Sequence, residues 1–436
     1  MMNTEAKSNL LNKSEDDDHD SIADQSNHES AELIGCNVDL LSKIFLGLPA
    51  KSILRFISVS KLWQSLLTHP RFSPLFDKLF NSSGLYYHEL HVSFDVENPT
   101  TPPFCTLDFY HTNGIRIVQS CNGLLLCRCD KDAYKYEYEY VNESSGNYYV
   151  FNPTTKKFAL IPLVIGSPSA KTLIRFMGLA YHPTECVHYK LVCILRTGHT
   201  ERGRQGFNEH GDRMYDIQIY YSHTGKWKKL KDQTFTPSNY TKFRYGVFWN
   251  GAFHWAPSCP NPMYLSLDDE QIQELCLPSP LPVRGGRYGC YRVDMPLYFG
   301  ESRGHLHLVE YSHENKPSSL NVYEMLRDHA GWFIKYQLDF HELFATYPNM
   351  TRTRRVFENN EFRVLDVVRG EEEKDTFVVV KVLNNIKRYN ILDKSFQLLC
   401  DIPNNIEEVE GCFSKAFSEM FHPFVGHRYI EKIGPV

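Results

Sequence analysis

The sequence contains no apolar run near the roughly 20 residues that a membrane helix needs. Its polar first residues also lack the short hydrophobic core of a secretory leader. Both absences lead us to expect a cytoplasmic and/or nuclear protein with no membrane partner. Catalytic fingerprints are missing as well: there is no G-x-S-x-G, no phosphate-binding P-loop and no dinucleotide-binding glycine pattern. The expectation is therefore a chain that is not an enzyme and takes no cofactor. Twelve cysteines are present, but with no route into an oxidising compartment they read as reduced, buried thiols. The sequons at Asn12, Asn81, Asn142, Asn239 and Asn349 then carry no sugar.

Positive charge is nearly absent from residues 1–35, where nine acids stand against Lys7 and Lys13. That segment carries −7 of a total of −5, so the remainder is about +2. A run such as SEDDDHDS, with almost no aromatics, cannot offset the entropy of folding, and the expectation is a disordered acidic tail over residues 1–35.

From Asp39 the apolar residues fall at helical spacing. Leu40, Leu41, Ile44, Phe45 and Leu48 are predicted to share one helix face. Pro49 breaks that helix and suits the first turn of the next, where Ile53, Leu54, Phe56 and Ile57 follow. Leu62, Trp63, Leu66 and Leu67 continue the pattern. Three short helices in about 40 residues make a core that is marginal alone, so some apolar faces need a partner. One reading makes the helices a cap on the rest of the chain.

The run DLLSKIFLGLPAKSILRFISVSKLWQSLLTHPRF resembles an F-box in the form common in plants. The resemblance rests on Leu48-Pro49, on Val59-Ser60-Lys61-Leu62-Trp63 and on Pro70-Arg71-Phe72 in that order, and it departs where Cys36-Asn37 replaces the customary first Leu-Pro. What it implies is a helical domain over residues 36–80 that docks the Skp-type adaptor of a cullin ubiquitin ligase. The implied contacts are Leu40, Leu41, Ile44, Leu48, Pro49, Leu54, Val59, Lys61, Trp63 and Leu66.

After residue 80 the chain changes to Tyr-, Phe-, Val- and Ile-rich runs punctuated by Gly, Asn, Asp and Pro, the pattern of short strands and turns. A strand–turn–strand unit recurs five times. In each, two apolar or aromatic residues stand seven positions apart: Phe151 and Phe158, Tyr220 and Trp227, Leu265 and Ile272, Met325 and Trp332, Tyr389 and Phe396. Each unit follows a second, glycine-bearing strand pair, which gives the four strands of a propeller blade. Blades that leave a sheet face wet must stack in a ring to build a core, so Trp227 and Trp332 are expected to be buried between blades. Strands in LYYHELHVSF and FCTLDFY are expected in a sixth blade closed by C-terminal residues. A two-sheet sandwich is the second-best architecture.

SCNGLLLC, FNPTTKKF and FWNGAFHW resemble phrases of the F-box-associated domains of plant F-box proteins, which are similar to kelch propellers. The expected fold is a small all-α three-helix F-box followed by a large all-β domain, a kelch-like β-propeller of about six blades. The expected boundaries are a linker with the first strands over 81–114, the propeller over 115–425 and a tail over 426–436.

His182, Cys186, His188 and Cys193 have zinc-ligand chemistry, but in a strand His188 and Cys193 point to opposite faces, and core cysteines with turn histidines are the preferred reading. HELH at 88–91 is one residue short of a metalloprotease H-E-x-x-H and lies in a strand-like run. No metal is expected. RTGHTERGRQGF and TRTRR read as solvated loops, and nucleic acid is not an expected partner. The loops 196–213, 281–292 and 350–360 carry Arg and Tyr, types enriched at binding hot spots; Arg284, Arg287, Arg352 and Arg354 are the candidate substrate contacts. The expected function is a substrate-recognition subunit of a Skp–cullin–F-box ligase that binds an unidentified target protein. The alternative is a propeller-based small-molecule binder or enzyme with an N-terminal interaction module.

Overall fold

Asn37 starts the first helix. Its side-chain oxygen accepts the Leu40 N–H at 3.0 Å, and Asp39 places a negative charge in the first turn, at the positive end of the helix dipole. Helix α1 (Val38–Leu46) runs to Gly47, whose N–H bonds back to the Ile44 and Phe45 carbonyls. Pro49 is not inside the next helix but is its extended boundary, and α2 (Ala50–Phe56) begins one residue later. Ser60 caps α3 (Lys61–Leu67) by accepting the Trp63 N–H at 3.1 Å.

The computed structural model describes residues 34, 37–69, 71–72, 75–76, 82–87, 90–99, 102, 115–129, 147–165, 173–183, 185–197, 214–230, 243, 245–255, 262–278, 283–285, 291–293, 296–312, 318–347, 362–403 and 426–433. The expected acidic tail apart from residue 34, the FCTLDFY strand and the arginine-rich loops at 198–213 and 350–360 lie outside them. The chain divides into two compact units, residues 1–79 and 80–436.

In the helical unit Leu41, Phe45, Ala50, Ile53, Leu67, Phe72 and Phe76 are buried. Trp63 lies edge-on to Phe45 at 5.0 Å and to Phe56 at 5.1 Å, the geometry that aromatic quadrupoles favour. The single face expected for α1 is in fact two. Leu41 and Phe45 point inward, whereas Leu40 and Ile44 point outward, because residues one apart diverge by about 100° around a helix of 3.6 residues per turn.

The second unit is a ring of six antiparallel sheets. Five have four strands: β3–β6 (Ile115–Cys121, Leu124–Cys129, Asn147–Phe151, Phe158–Leu160), β7–β10 (Leu173–Ala180, Lys190–Thr197, Met214–Tyr221, Lys226–Lys229), β11–β14 (Gly246–Trp249, Ala252–Trp255, Met263–Ser266, Gln271–Glu274), β17–β20 (Tyr298–Ser302, His305–Tyr311, Ser319–Met325, Trp332–Asp339) and β21–β24 (Phe362–Val368, Phe377–Val382, Asn385–Asn390, Phe396–Asp401). The sixth joins β1 (Ser82–Tyr87) and β2 (Leu90–Ser93) to β25 (Gly426–Ile430), in the order β2-β1-β25. Residues 426–430 are therefore not a tail but the strand that closes the ring. Their backbone pairs with β1 from Ser82 to Tyr87, and Tyr429 is wholly buried. The first members β3, β7, β11, β17 and β21, together with β25, are neighbours in turn around the centre.

The seven-position pairs are direct cross-strand partners in all five repeats: Phe151 opposite Phe158, Tyr220 opposite Trp227, Leu265 opposite Ile272, Met325 opposite Trp332 and Tyr389 opposite Phe396. They stitch blade to blade. The Trp227 indole donates to the Pro162 carbonyl of the preceding blade at 2.9 Å, and the Trp332 indole donates to the Cys276 carbonyl at 2.8 Å. Trp227 is buried as expected, but Trp332 is only partly covered, packing against the Phe299 cluster at a centroid distance of 6.4 Å.

Asn122-Gly123 and Asn250-Gly251 turn the inner hairpins with positive φ at both residues, the backbone that two-residue hairpin turns of matching twist require. Asparagine serves twice there. Asn122 Nδ2 donates to Tyr181 O at 2.7 Å, and Asn250 Nδ2 donates to Arg327 O at 2.8 Å, each on the next blade.

Candidate functional site

Two surfaces have the make-up of binding sites. The first is on the helices. Leu40, Ile44 and Val59 project into solvent, Val59 with 59% of its surface exposed, and Pro49 and Lys61 are exposed as well. Leu48, Leu54, Trp63 and Leu66 are half-buried. Leu41 is a correction to the expected contacts, because it faces the helix core at 3% exposure and presents no anchor. Val38, Leu62 and Leu75 are exposed apolar residues outside the implied contacts. The Asn37 cap was also overlooked, although an asparagine followed two residues later by aspartate signals a helix start. So the residue that departs from the familiar Leu-Pro does the work of beginning α1.

The second surface is a cavity at the centre of the ring, lined by residues of β3, β7, β11, β17, β21 and β25. Bulges aim three of its side chains. The register slips between Ile117 and Gln119, between Ile174 and Phe176, and between Val364 and Asp366, and the residue after each slip lines the cavity. Glycine gives the aromatics room: a Cβ on Gly178 or Gly246 would stand 2.5 Å or 2.3 Å from the Phe176 ring, and one on Gly300 would stand 2.1 Å from the Tyr298 hydroxyl. Gln119 is spent on structure, since its amide bonds both the N–H and the carbonyl of Leu179 on the next blade.

One carboxylate in the cavity wall is fully engaged. Asp366 accepts from the Tyr298 hydroxyl at 2.8 Å, from Arg428 Nε at 2.8 Å and from Arg428 Nη2. Arg428 also reaches Val367 O at 3.0 Å, so the closing strand is tied to β21 through charge-assisted bonds. Burial raises the Tyr298 phenol well above its usual range, with the Asp366 charge adding to the rise, and it stays a donor.

No group of three or more His, Cys, Asp or Glu suited to a metal occurs among the described residues. Cys193 is buried in β8, and His182 Nδ1 faces Glu185 Oε1 at 3.6 Å. Arg284 stands opposite Arg292 in a short antiparallel ribbon, β15–β16 (Val283–Gly285, Tyr291–Val293), rather than in a loop. Arg287, Arg352 and Arg354 lie outside the described residues. No helix among the described residues is long and apolar enough to cross a membrane.

Comparison with known proteins agrees with this division. Residues 37–74 match the F-box domain, and residues 79–400 match the F-box associated beta propeller domain. The chain is 31% identical over 404 residues to F-box protein At5g07610 of Arabidopsis thaliana, covering 87% of this chain and 89% of that one. It is 28% identical over 287 residues to F-box protein At5g49610 of the same plant, covering 63% and 71%. Capped helices with an outward apolar face, followed by a six-bladed ring, place this chain among the plant F-box proteins that carry an F-box-associated β-propeller domain.

Proposed function

We propose that this chain is the substrate-recognition subunit of a Skp–cullin–F-box ubiquitin ligase, with the helices docking a Skp-type adaptor and the propeller holding a protein to be ubiquitinated. The observation that carries the reading is the set of apolar side chains Leu40, Ile44, Val59 and Leu62, left exposed on a helical unit whose first and third helices are N-capped. Each side chain is roughly half exposed, and full burial of such residues is worth about 1.5–3 kcal/mol. Covering four halves supplies about 4 kcal/mol, close to a thousandfold in affinity. Partner recognition through apolar anchors lost to water is the physics of a helix docked in a groove. Ubiquitin transfer belongs to other subunits, so positioning is this chain's contribution.

The test is gel filtration of the full chain with a recombinant Skp-type adaptor. The two should co-elute, and deleting residues 36–80 should separate them. Co-elution that survives the deletion contradicts the assignment. On the propeller, Arg284, Arg287, Arg352 and Arg354 are the proposed contacts for an acidic substrate surface. Charge reversal at Arg284 and Arg287 should reduce substrate capture and leave adaptor binding unchanged.

A further inference from the structure

Glu301 on β17 differs from every other charged group in the central cavity. It lines the cavity, and a single backbone donor, the Gly304 N–H, reaches its Oε1 at 2.6 Å. Among the described residues no cation stands within ion-pair distance of it. The cationic Arg428 nearby directs its Nε and Nη2 bonds to Asp366 and Val367 rather than to Glu301, and its charge acts on Glu301 only through space. The same cavity is lined by four aromatic residues, Phe176, Tyr245, Phe248 and Tyr298, from three different blades.

We propose that this cavity binds an alkylammonium group, with Glu301 as its counter-ion and the aromatic rings of β7, β11 and β17 around its carbon stem. Aromatic faces carry negative potential, and walls of this kind are what recognise ammonium ions. A guanidinium fits less well. It is recognised through two parallel bonds to both carboxylate oxygens, and Oε1 already accepts from Gly304. An anion would meet the Glu301 carboxylate, which has no direct ion-pair partner among the described residues. The cavity measures about 140 Å³, close to the ~150 Å³ that admits a benzene-sized molecule. That is room for one short stem and not for a folded segment. Burial raises the Glu301 carboxyl above its usual range, with the Asp366 charge adding to the rise and Arg428 opposing it. An ammonium ion at this position would relieve that cost.

The same chemistry has two sources, a free small amine or the lysine side chain of a bound protein. The site is independent of ligase membership, because the assay reads the purified chain alone. Calorimetric titration of the full chain with n-butylammonium chloride tests it, against a baseline of equimolar sodium chloride. Binding should be at least tenfold stronger than that of n-butanol, and Glu301→Gln, which keeps the shape and the Gly304 bond, should weaken it at least tenfold. Phe248→Leu should weaken it about threefold through the lost ring and serves as the second variant. A parallel titration with Nα-acetyl-lysine amide and its Nε-acetylated form identifies the source. Tighter binding of the lysine probe than of butylammonium assigns the site to a protein side chain, and the reverse assigns it to a free amine. Equal binding by wild type and Glu301→Gln, or no binding of either cationic probe, overturns the proposal.

Discussion

Replacing Arg428 by methionine should be among the most damaging single changes in the ring. The guanidinium makes three hydrogen bonds, two to Asp366 and one to Val367 O, and both charged side chains are about nine-tenths buried. Methionine keeps much of the volume but leaves the Asp366 carboxylate with only the Tyr298 hydroxyl. A buried charge stripped of its partner costs about 3–5 kcal/mol. The loss falls on β25, the strand that closes the ring, so the closing blade should open first. Urea unfolding followed by tryptophan fluorescence reads this well, because Trp227, Trp249, Trp255 and Trp332 belong to the ring and only Trp63 to the helices. Pairing Arg428→Met with Asp366→Leu removes the orphaned charge, and the double variant should recover at least half of the loss, as apolar replacements of buried ion pairs do. A single-variant loss below about 1 kcal/mol, or a double variant no better than the single, would refute the reasoning.

Trp227→Ala should cost about 3–5 kcal/mol, since it empties a buried site and strands the Pro162 carbonyl, whereas Trp332→Ala should cost visibly less because its ring is partly solvated; equal losses in urea titration would contradict the blade contacts described. Burial holds His254 down at about 3, with His329 adding to the depression, and holds His91 down at about 4. The unfolded chain takes up protons at these histidines near pH 6.5 and the folded chain does not, so stability should fall as pH drops from about 6.5 toward 4; a urea midpoint constant over that window would disprove it. Removing residues 426–436 should unfold the ring rather than trim it, because Asn152 Nδ2 donates to Lys432 O at 3.1 Å and the Lys432 N–H donates to Thr154 Oγ1 at 3.1 Å across to the neighbouring blade; a truncated chain with an unchanged melting temperature would contradict this.

The outer hairpins were legible because the signal is local. Seven positions between two apolar residues place them opposite one another across a tight turn, as Tyr220 and Trp227 are. Asn-Gly turns likewise announce inner hairpins within a few residues. That C-terminal residues close the sixth blade on LYYHELHVSF was legible, but which of them form the strand was not, and 426–436 read as a tail. Gly426–Ile430 shows no clean apolar alternation, and its partner Ser82–Tyr87 lies more than 300 positions away. The cavity was hidden for a related reason: Phe176, Glu301, Asp366 and Arg428 come from four different blades, and bulges that the sequence does not mark set the aim of two of them. On α1, periodicity predicted an apolar helix correctly but not which of the adjacent leucines faces inward, because Leu40 and Leu41 look alike until the packing of Phe45 against Trp63 fixes the phase.

The central claim is that the open face of the helices is the adaptor's seat, and binding of the full chain to a purified Skp-type adaptor by surface plasmon resonance tests it most directly. Ile44→Asp with Val59→Asp puts two charges into that face, and both residues are already exposed, so the fold should be unaffected. Affinity should fall more than a hundredfold while the circular dichroism spectrum and melting temperature stay at wild-type values, since buried unpaired charges cost several kcal/mol only once the partner covers them. Unchanged affinity in the folded double variant would place the adaptor elsewhere and contradict the account.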